Sequence, residues 1–291
     1  MRWKGREQSE NVEDRRGMSP QMALGGGGGL LMVIVVIVVK LLGGGQQAQN
    51  IAGRVANELG NRAQQQQVAS EGIDDEYAEF VRVVLRDTET VWTDLFRRQV
   101  DISYTPPKLI MFSETVSSGC GNASAAMGPF YCPADKQVYI DPQFFNDLAV
   151  RHNAEGDFAQ AYVIAHEVAH HVQNLLQFNV PVQQARQSGD EIFANQMSVR
   201  LELQADYLAG VWANHANRHF EILEPGDIEE AIQAANQIGD DTLQRQATGY
   251  VKPERFTHGT SKQRARWFKR GLDTGRLKDC EELFQLAYEE L

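Results

Sequence analysis

Asp157-Phe158-Ala159-Gln160-Ala161-Tyr162-Val163-Ile164-Ala165-His166-Glu167-Val168-Ala169-His170-His171-Val172-Gln173-Asn174-Leu175-Leu176 carries apolar side chains at helical spacing through a His-Glu-Val-Ala-His string. The stretch therefore reads as a helix with an apolar face running past both histidines. Residues four apart on a helix have Cβ atoms roughly 5–6 Å apart, so His166 and His170 can reach one zinc ion at about 2.0–2.1 Å. Glu167 points beside that ion. There it can act as general base on a water whose pKa a bound metal lowers to about 7. The competing reading is a buried helix with two satisfied core histidines.

A catalytic zinc takes three protein ligands and leaves a fourth position for water. Downstream, Glu202 in Arg200-Leu201-Glu202-Leu203-Gln204-Ala205-Asp206 supplies a candidate third ligand. It lies in a second helical pattern from about Gly189 to Asn217, opened by a capping box, Ser188-Gly189-Asp190-Glu191. Asp206, one turn on from Glu202, is placed to accept the free ring N–H of a ligand histidine, as the outer partners of metal sites do. Two acidic residues on a solvated helix face are the alternative. Glu191 competes less well, because a cap already explains it. His171 lies about 100° around the helix from His170 and reads as facing solvent or a neighbouring helix. His215 and His219 suit a helix C-terminus. His258 stands in a Gly-containing turn before the capping box Thr260-Ser261-Lys262-Gln263, with Arg264 six residues on. His258 and Arg264 can place two donors over a developing oxyanion; an ordinary surface turn accounts for the same residues.

The whole chain of 291 residues carries 39 acidic and 28 basic side chains, a net charge of −11. Nucleic acid is not an expected partner, since phosphate neutralisation needs a basic face. Residues 23–43 combine Gly25 to Gly29 with the apolar run Leu30 to Val39 and then Lys40-Leu41-Leu42-Gly43. That length suits a single transmembrane signal anchor, and the apolar core alone also suits a cleaved signal peptide. Arg2, Lys4, Arg6, Arg15 and Arg16 precede it, which predicts a cytoplasmic N-terminus and a domain on the periplasmic side of the inner membrane. Cys120 and Cys132 bracket a flexible loop that a disulfide would pin, in keeping with an oxidising compartment; two free thiols are the alternative. Cys280 reads as a small buried hydrophobe in the last helix.

The expected organisation is a cytoplasmic tail over 1–22, the anchor over 23–43, a Gln-rich polar linker over 44–72 and a globular domain over 73–291. That domain is α+β, mainly helical with a small sheet. A helix is expected over Glu76 to Gln99, short strands at Leu109 to Phe112 and Val138 to Ile140, and a final helix after Asp279.

HEVAHHVQ, RLELQADYLAG, THGTSKQRARWF, the opening MRWKGREQSENVEDRRG and CGNASAAMGPFYCPAD together resemble the bacterial family described as putative neutral zinc metallopeptidases, across nearly the whole chain. The resemblance implies a zincin-like fold and a membrane-anchored hydrolase with one zinc ion and a peptide or protein substrate. It implies His166, His170 and Glu202 as ligands, Glu167 as base, Asp206 behind the ligands, and His258 with Arg264 near the transition state. In zincins a sheet edge beside the metal helix binds substrate as an added strand, which suggests Val138 to Asp141 here. Gly259 departs from the wider group's membrane enzymes, which usually have proline there.

Overall fold

A computed structural model describes residues 1–17, 76–152 and 156–291. The expected anchor over 23–43 and linker over 44–72 lie outside these described residues. Among the described residues no helix is long and apolar enough to cross a membrane.

β1 (Val12–Asp14) is followed by α1 (Glu76–Gln99), whose glutamates in the first turn and arginines in the last match the helix dipole. Then come β2 (Lys108–Met111), the hairpin β3 (Thr115–Ser118) and β4 (Gly121–Ser124), β5 (Phe130–Cys132) and β6 (Gln137–Ile140). The four-stranded sheet has the order β1-β2-β6-β5, with β1, β2 and β6 parallel and β5 antiparallel to β6. The expected flexible loop between Cys120 and Cys132 thus contains β4, a single helical turn at Ala125–Met127 and most of β5. β4 is four small or polar residues, Gly-Asn-Ala-Ser, and β5 only three, Phe-Tyr-Cys, so neither shows the apolar alternation over four to eight residues that marks a strand. The disulfide Cys120–Cys132 is formed, with Cα atoms 5.8 Å apart.

Helices fill the rest: α2 (Gln143–His152), α3 (Asp157–Leu175), α4 (Val180–Gln187), α5 (Glu191–Phe220), α6 (Asp227–Gln237), α7 (Asp240–Thr248) and α8 (Ser261–Thr274). The start of α5 differs from the expected box. Asp190 is the cap, its carboxylate accepting from the Phe193 N–H at 3.0 Å, while the Ser188 hydroxyl turns back to the Ala185 carbonyl and closes α4. The Thr260–Gln263 box opens α8 as expected. In place of a final α-helix, Leu277–Phe284 forms a 3-10 segment that buries Cys280.

Buried apolar side chains of α1, α3, α5 and α8 form one core with the inner face of the sheet. α5 and α8 cross at Gly210 and Gly271, where backbone meets backbone. A Cβ on Gly271 would fall on the Tyr207 carbonyl, and one on Gly210 on the Phe268 carbonyl. This close approach brings the start of α8 over the middle of α5.

The N-terminal residues, read from sequence as a tail outside the domain, are packed into it. Met1 and Trp3 are buried in the core. Arg6 forms two bonds, of 2.8 and 2.6 Å, to the buried carboxylate of Asp87 on α1. β1 completes one edge of the sheet.

Substituting Gly271→Ala should force α5 and α8 apart and lower stability by about 1–3 kcal/mol, the usual cost of overpacking. The urea midpoint of the purified chain measures it, and an unchanged midpoint would show the crossing to be looser than described.

Candidate metal centre

α3 enters the core with Phe158, Ala161, Tyr162, Ile164, Ala165, Val168, Ala169 and Val172 buried. Its remaining stripe presents His166, Glu167 and His170 to an open cleft of about 930 Å³. Glu202 on α5 faces the two histidines. Its Oε2 lies 3.2 Å from His166 Nε2 and 3.5 Å from His170 Nε2. Donors about 2.0–2.1 Å from a tetrahedral zinc stand about 3.4 Å from one another. The triangle therefore fits a zinc ion.

Each histidine is oriented from behind. His166 Nδ1 lies 2.9 Å from Asp206 Oδ1, and an ionised carboxylate can only accept, so Nδ1 carries the proton and Nε2 offers its lone pair. His170 Nδ1 lies 2.8 Å from Gln173 Oε1, while Gln173 Nε2 donates to the Leu201 carbonyl at 2.7 Å and to Gln204 Oε1 at 3.0 Å. Those two acceptors fix which end of the Gln173 amide faces the ring, so Nε2 of His170 also points its lone pair at the triangle. With both Nδ1 atoms held from behind, the two Nε2 atoms and the Glu202 carboxylate converge; a proton on His166 Nε2 bridges to Glu202 in the absence of metal, and a zinc ion would take that proton's place.

Charge says the same. Glu202 and Asp206 both act on the one buried guanidinium, Arg264, so the carboxylates at the triangle outnumber the fixed cation beside them. Burial opposes charging of His166, but Asp206 and Glu202 outweigh it and push the ring up to about 9. Burial also opposes ionisation of Glu202, and His170 and His166 hold it well below the usual carboxylate range.

Asp206 is fully buried. Besides His166 it accepts the Tyr162 hydroxyl at 2.5 Å, Arg264 Nε at 2.9 Å and Arg264 Nη2 at 3.0 Å. This corrects the expectation that Arg264 faces the transition state. Arg264 is 3% exposed and gives its remaining Nη1 to the Ile238 carbonyl at 3.3 Å, so its donors hold Asp206 rather than a substrate oxygen.

His258 does border the cleft. Its Nδ1 lies 3.1 Å from Asp240 Oδ1, and Asp240 Oδ2 accepts the backbone N–H groups of Thr257, His258 and Gly259 at 2.7, 2.7 and 3.1 Å. The bond from Asp240 raises the His258 pKa, against burial. Gly259 sits at φ +91° with Leu203 and Val199 close to where a Cβ would be. Proline, fixed near φ −65°, cannot occupy it.

Two expectations change beside the cleft. His171 does not face solvent; it is 1% exposed, with Nε2 2.7 Å from the Thr105 carbonyl and Nδ1 3.1 Å from the Tyr131 hydroxyl. Burial lowers its pKa to about 4. The proposed substrate edge Val138 to Asp141 is interior, because β6 is paired on both sides. Asp141 instead caps local turns, accepting from the Glu114 and Gln143 N–H groups. An open edge is β5, whose Phe130 and Tyr131 border the cleft.

The residues that sequence reasoning missed are Gln173, Tyr162 and Asp240. Gln173 is a buried amide one turn beyond His170, a weak signal on a helix whose polar residues otherwise border the cleft. Asp240 lies 18 residues from His258, and no spacing rule links them.

Cutting the His170 support by Gln173→Leu should weaken zinc binding roughly 10–100-fold, and Gln173→Glu should not restore it fully, because its second oxygen would face the Leu201 carbonyl and Gln204 Oε1 where the amide now donates. Zinc binding must also displace the His166 proton. Its affinity should rise with pH from 6 towards 9, by up to about tenfold per unit for one released proton. Chelator competition across pH measures both, and a flat profile would count against His166 as a ligand.

A family model described as "Putative neutral zinc metallopeptidase" matches residues 1–283. The chain is 45% identical over 288 residues to the Escherichia coli K12 protein named "Uncharacterized protein YpfJ", covering 96% of this chain and 98% of that one. It is 42% identical over 203 residues to the Mycobacterium tuberculosis H37Rv protein "Uncharacterized protein Rv2575", covering 66% of each. No solved structure matches it. A match of that extent, together with a donor triangle of zinc dimensions, makes the chain a member of the putative neutral zinc metallopeptidase family.

Proposed function

We propose that this protein is a zinc-dependent endopeptidase. The observation that carries the reading is the His166, His170 and Glu202 triangle opening on a cleft with Glu167 at its side. Zinc bound there would polarise a scissile carbonyl and acidify a water. Glu167 forms no hydrogen bond to a described side chain, which leaves its oxygens to take a proton from that water. It then delivers the proton to the leaving amine nitrogen. His258, its Nδ1 held by Asp240, turns its Nε2 edge to an oxyanion developing on the carbonyl oxygen. The free edge of β5 offers backbone N–H and C=O groups to an extended peptide, fixing its direction across the triangle.

The test is cleavage of a diverse peptide mixture by the zinc-loaded full chain beside its Glu167→Gln variant. Loss of the base should cost roughly 10²–10⁴ in kcat with zinc retained. Full cleavage by the variant would refute the mechanism. Silence from both, with zinc bound by both, would favour a zinc-stabilised binding module.

His258→Ala should lower kcat by roughly 10²–10³, as loss of an oxyanion donor does, with little change in KM. Asp240→Asn should shift the acidic or basic limb of the pH–rate profile attributable to His258, while zinc content stays the same. An unaltered profile in Asp240→Asn would remove His258 from the reaction.

A further inference from the structure

The two ends of the chain that flank the apolar run Leu30 to Val39 meet at one place on the domain. Before the run, Arg16 lies over the ring of Tyr77, 6.0 Å from its centroid, and Lys4 Nζ lies 2.6 Å from Glu76 Oε1. Glu76 and Tyr77 are the first described residues after it. The described residues on either side of 18–75 therefore lie together.

What precedes the run is an integral part of that domain. β1 pairs in register with β2, Val12 opposite Leu109 and Asp14 opposite Met111. The Leu109 N–H donates to the Asn11 carbonyl and the Arg15 N–H to the Met111 carbonyl, both at 2.8 Å. Trp3 is 6% exposed and stacks edge-on against Phe80. Ser9 and Asn11 both donate to the buried carboxylate of Glu89. Without β1, the edge of β2 would stand unpaired.

A single crossing by residues 23–43 would put these residues and the domain on opposite faces of a bilayer, and the pairing could not form. A second crossing would return them. Between residues 44 and 75, however, the sequence has no run of about 20 apolar residues such as a helical crossing needs, and it carries Arg54, Glu58, Arg62, Glu71, Asp74 and Asp75. The basic residues that predicted a cytoplasmic tail have partners within the fold. Arg2 lies near Glu221 and Glu224, Lys4 pairs with Glu76, Arg6 with Asp87, Arg15 with Glu13 and Arg16 with Asp14. Their clustering is explained by folding, without reference to membrane sidedness.

We infer that residues 1–16 and the described residues from Glu76 onward lie on the same side of any membrane the chain meets, so that the chain between them does not cross it once. The uninterrupted apolar run Leu30 to Val39 is ten residues, about half of what a helical crossing needs. The inference stands whether or not the metal centre cleaves peptides.

The experiment places single cysteines at two exposed positions of the full chain, Gln8→Cys and Gln246→Cys, and treats intact cells, then lysed cells, with a membrane-impermeant maleimide. The unsubstituted chain is a silent control, since Cys120 and Cys132 are bonded and Cys280 is buried. Both positions should label together, either before lysis or only after it. Labelling of one before lysis and the other only after would overturn the inference. Hydrogen exchange on the unsubstituted chain gives a second reading that needs no variant. The Arg15 amide, which donates to the Met111 carbonyl, should be protected to the same degree as the Leu109 amide, which donates to the Asn11 carbonyl, and immediate exchange at Arg15 would overturn the inference as well.

Discussion

A single buried carboxylate ties together the half of this protein that carries the candidate metal centre. Asp206 on α5 takes hydrogen bonds from Tyr162 and His166 on α3 and from two nitrogens of Arg264 on α8. An ionised carboxylate deprived of water is costly unless its lone pairs are filled. Here they are filled by donors from two other helices, which lock three helices in one relative position. The glycines at the α5–α8 crossing allow Arg264 to come that close. The arginine is thus a structural counter-ion whose removal would leave a buried charge uncompensated, the expensive case.

The metal-binding geometry follows from that lock. His166 and His170 are one turn apart on α3, Glu202 and Asp206 one turn apart on α5, and the two pairs face each other. Holding Asp206 against His166 sets the distance between the helices, and Glu202 is carried to within ligand range of both rings. Only the ion is then needed to neutralise the excess of carboxylates. Its binding free energy adds to that of folding, because the triangle exists only when both helices are docked.

Much of this was legible in the sequence because it is local. Helix periodicity placed a helix over about Glu76 to Gln99, where α1 lies, and carried His166, Glu167 and His170 onto one face. The i,i+4 rule picked out Glu202 with Asp206. What was illegible depends on contacts between distant segments. Arg264 looked like a free cation because nothing in its neighbourhood reveals that Asp206, 58 residues earlier, consumes its donors. His171 looked exposed because helix angle alone cannot show that the Thr105 carbonyl and the Tyr131 hydroxyl cover that face. The N-terminal residues looked like a tail because charge counting sees five basic residues and not their acidic partners.

The same long-range pairing bears on the proposed strand addition at the sheet. A sheet has two edges, and an uncovered one invites pairing with any extended chain. β1 closes the edge at β2, where the N-terminal residues are further secured by Arg6, Trp3 and Ser9. One edge of the sheet is β5, tied to the start of β4 by the Cys120–Cys132 disulfide and bordering the cleft through Phe130 and Tyr131. Tyr131 also bonds His171 and Asn174 of the metal-bearing helix, so the open edge and the histidines are parts of one rigid wall. The outer side of β1 is the sheet's other edge, so what singles out β5 for an added strand is its place in the wall beside the metal triangle, not the lack of a second edge.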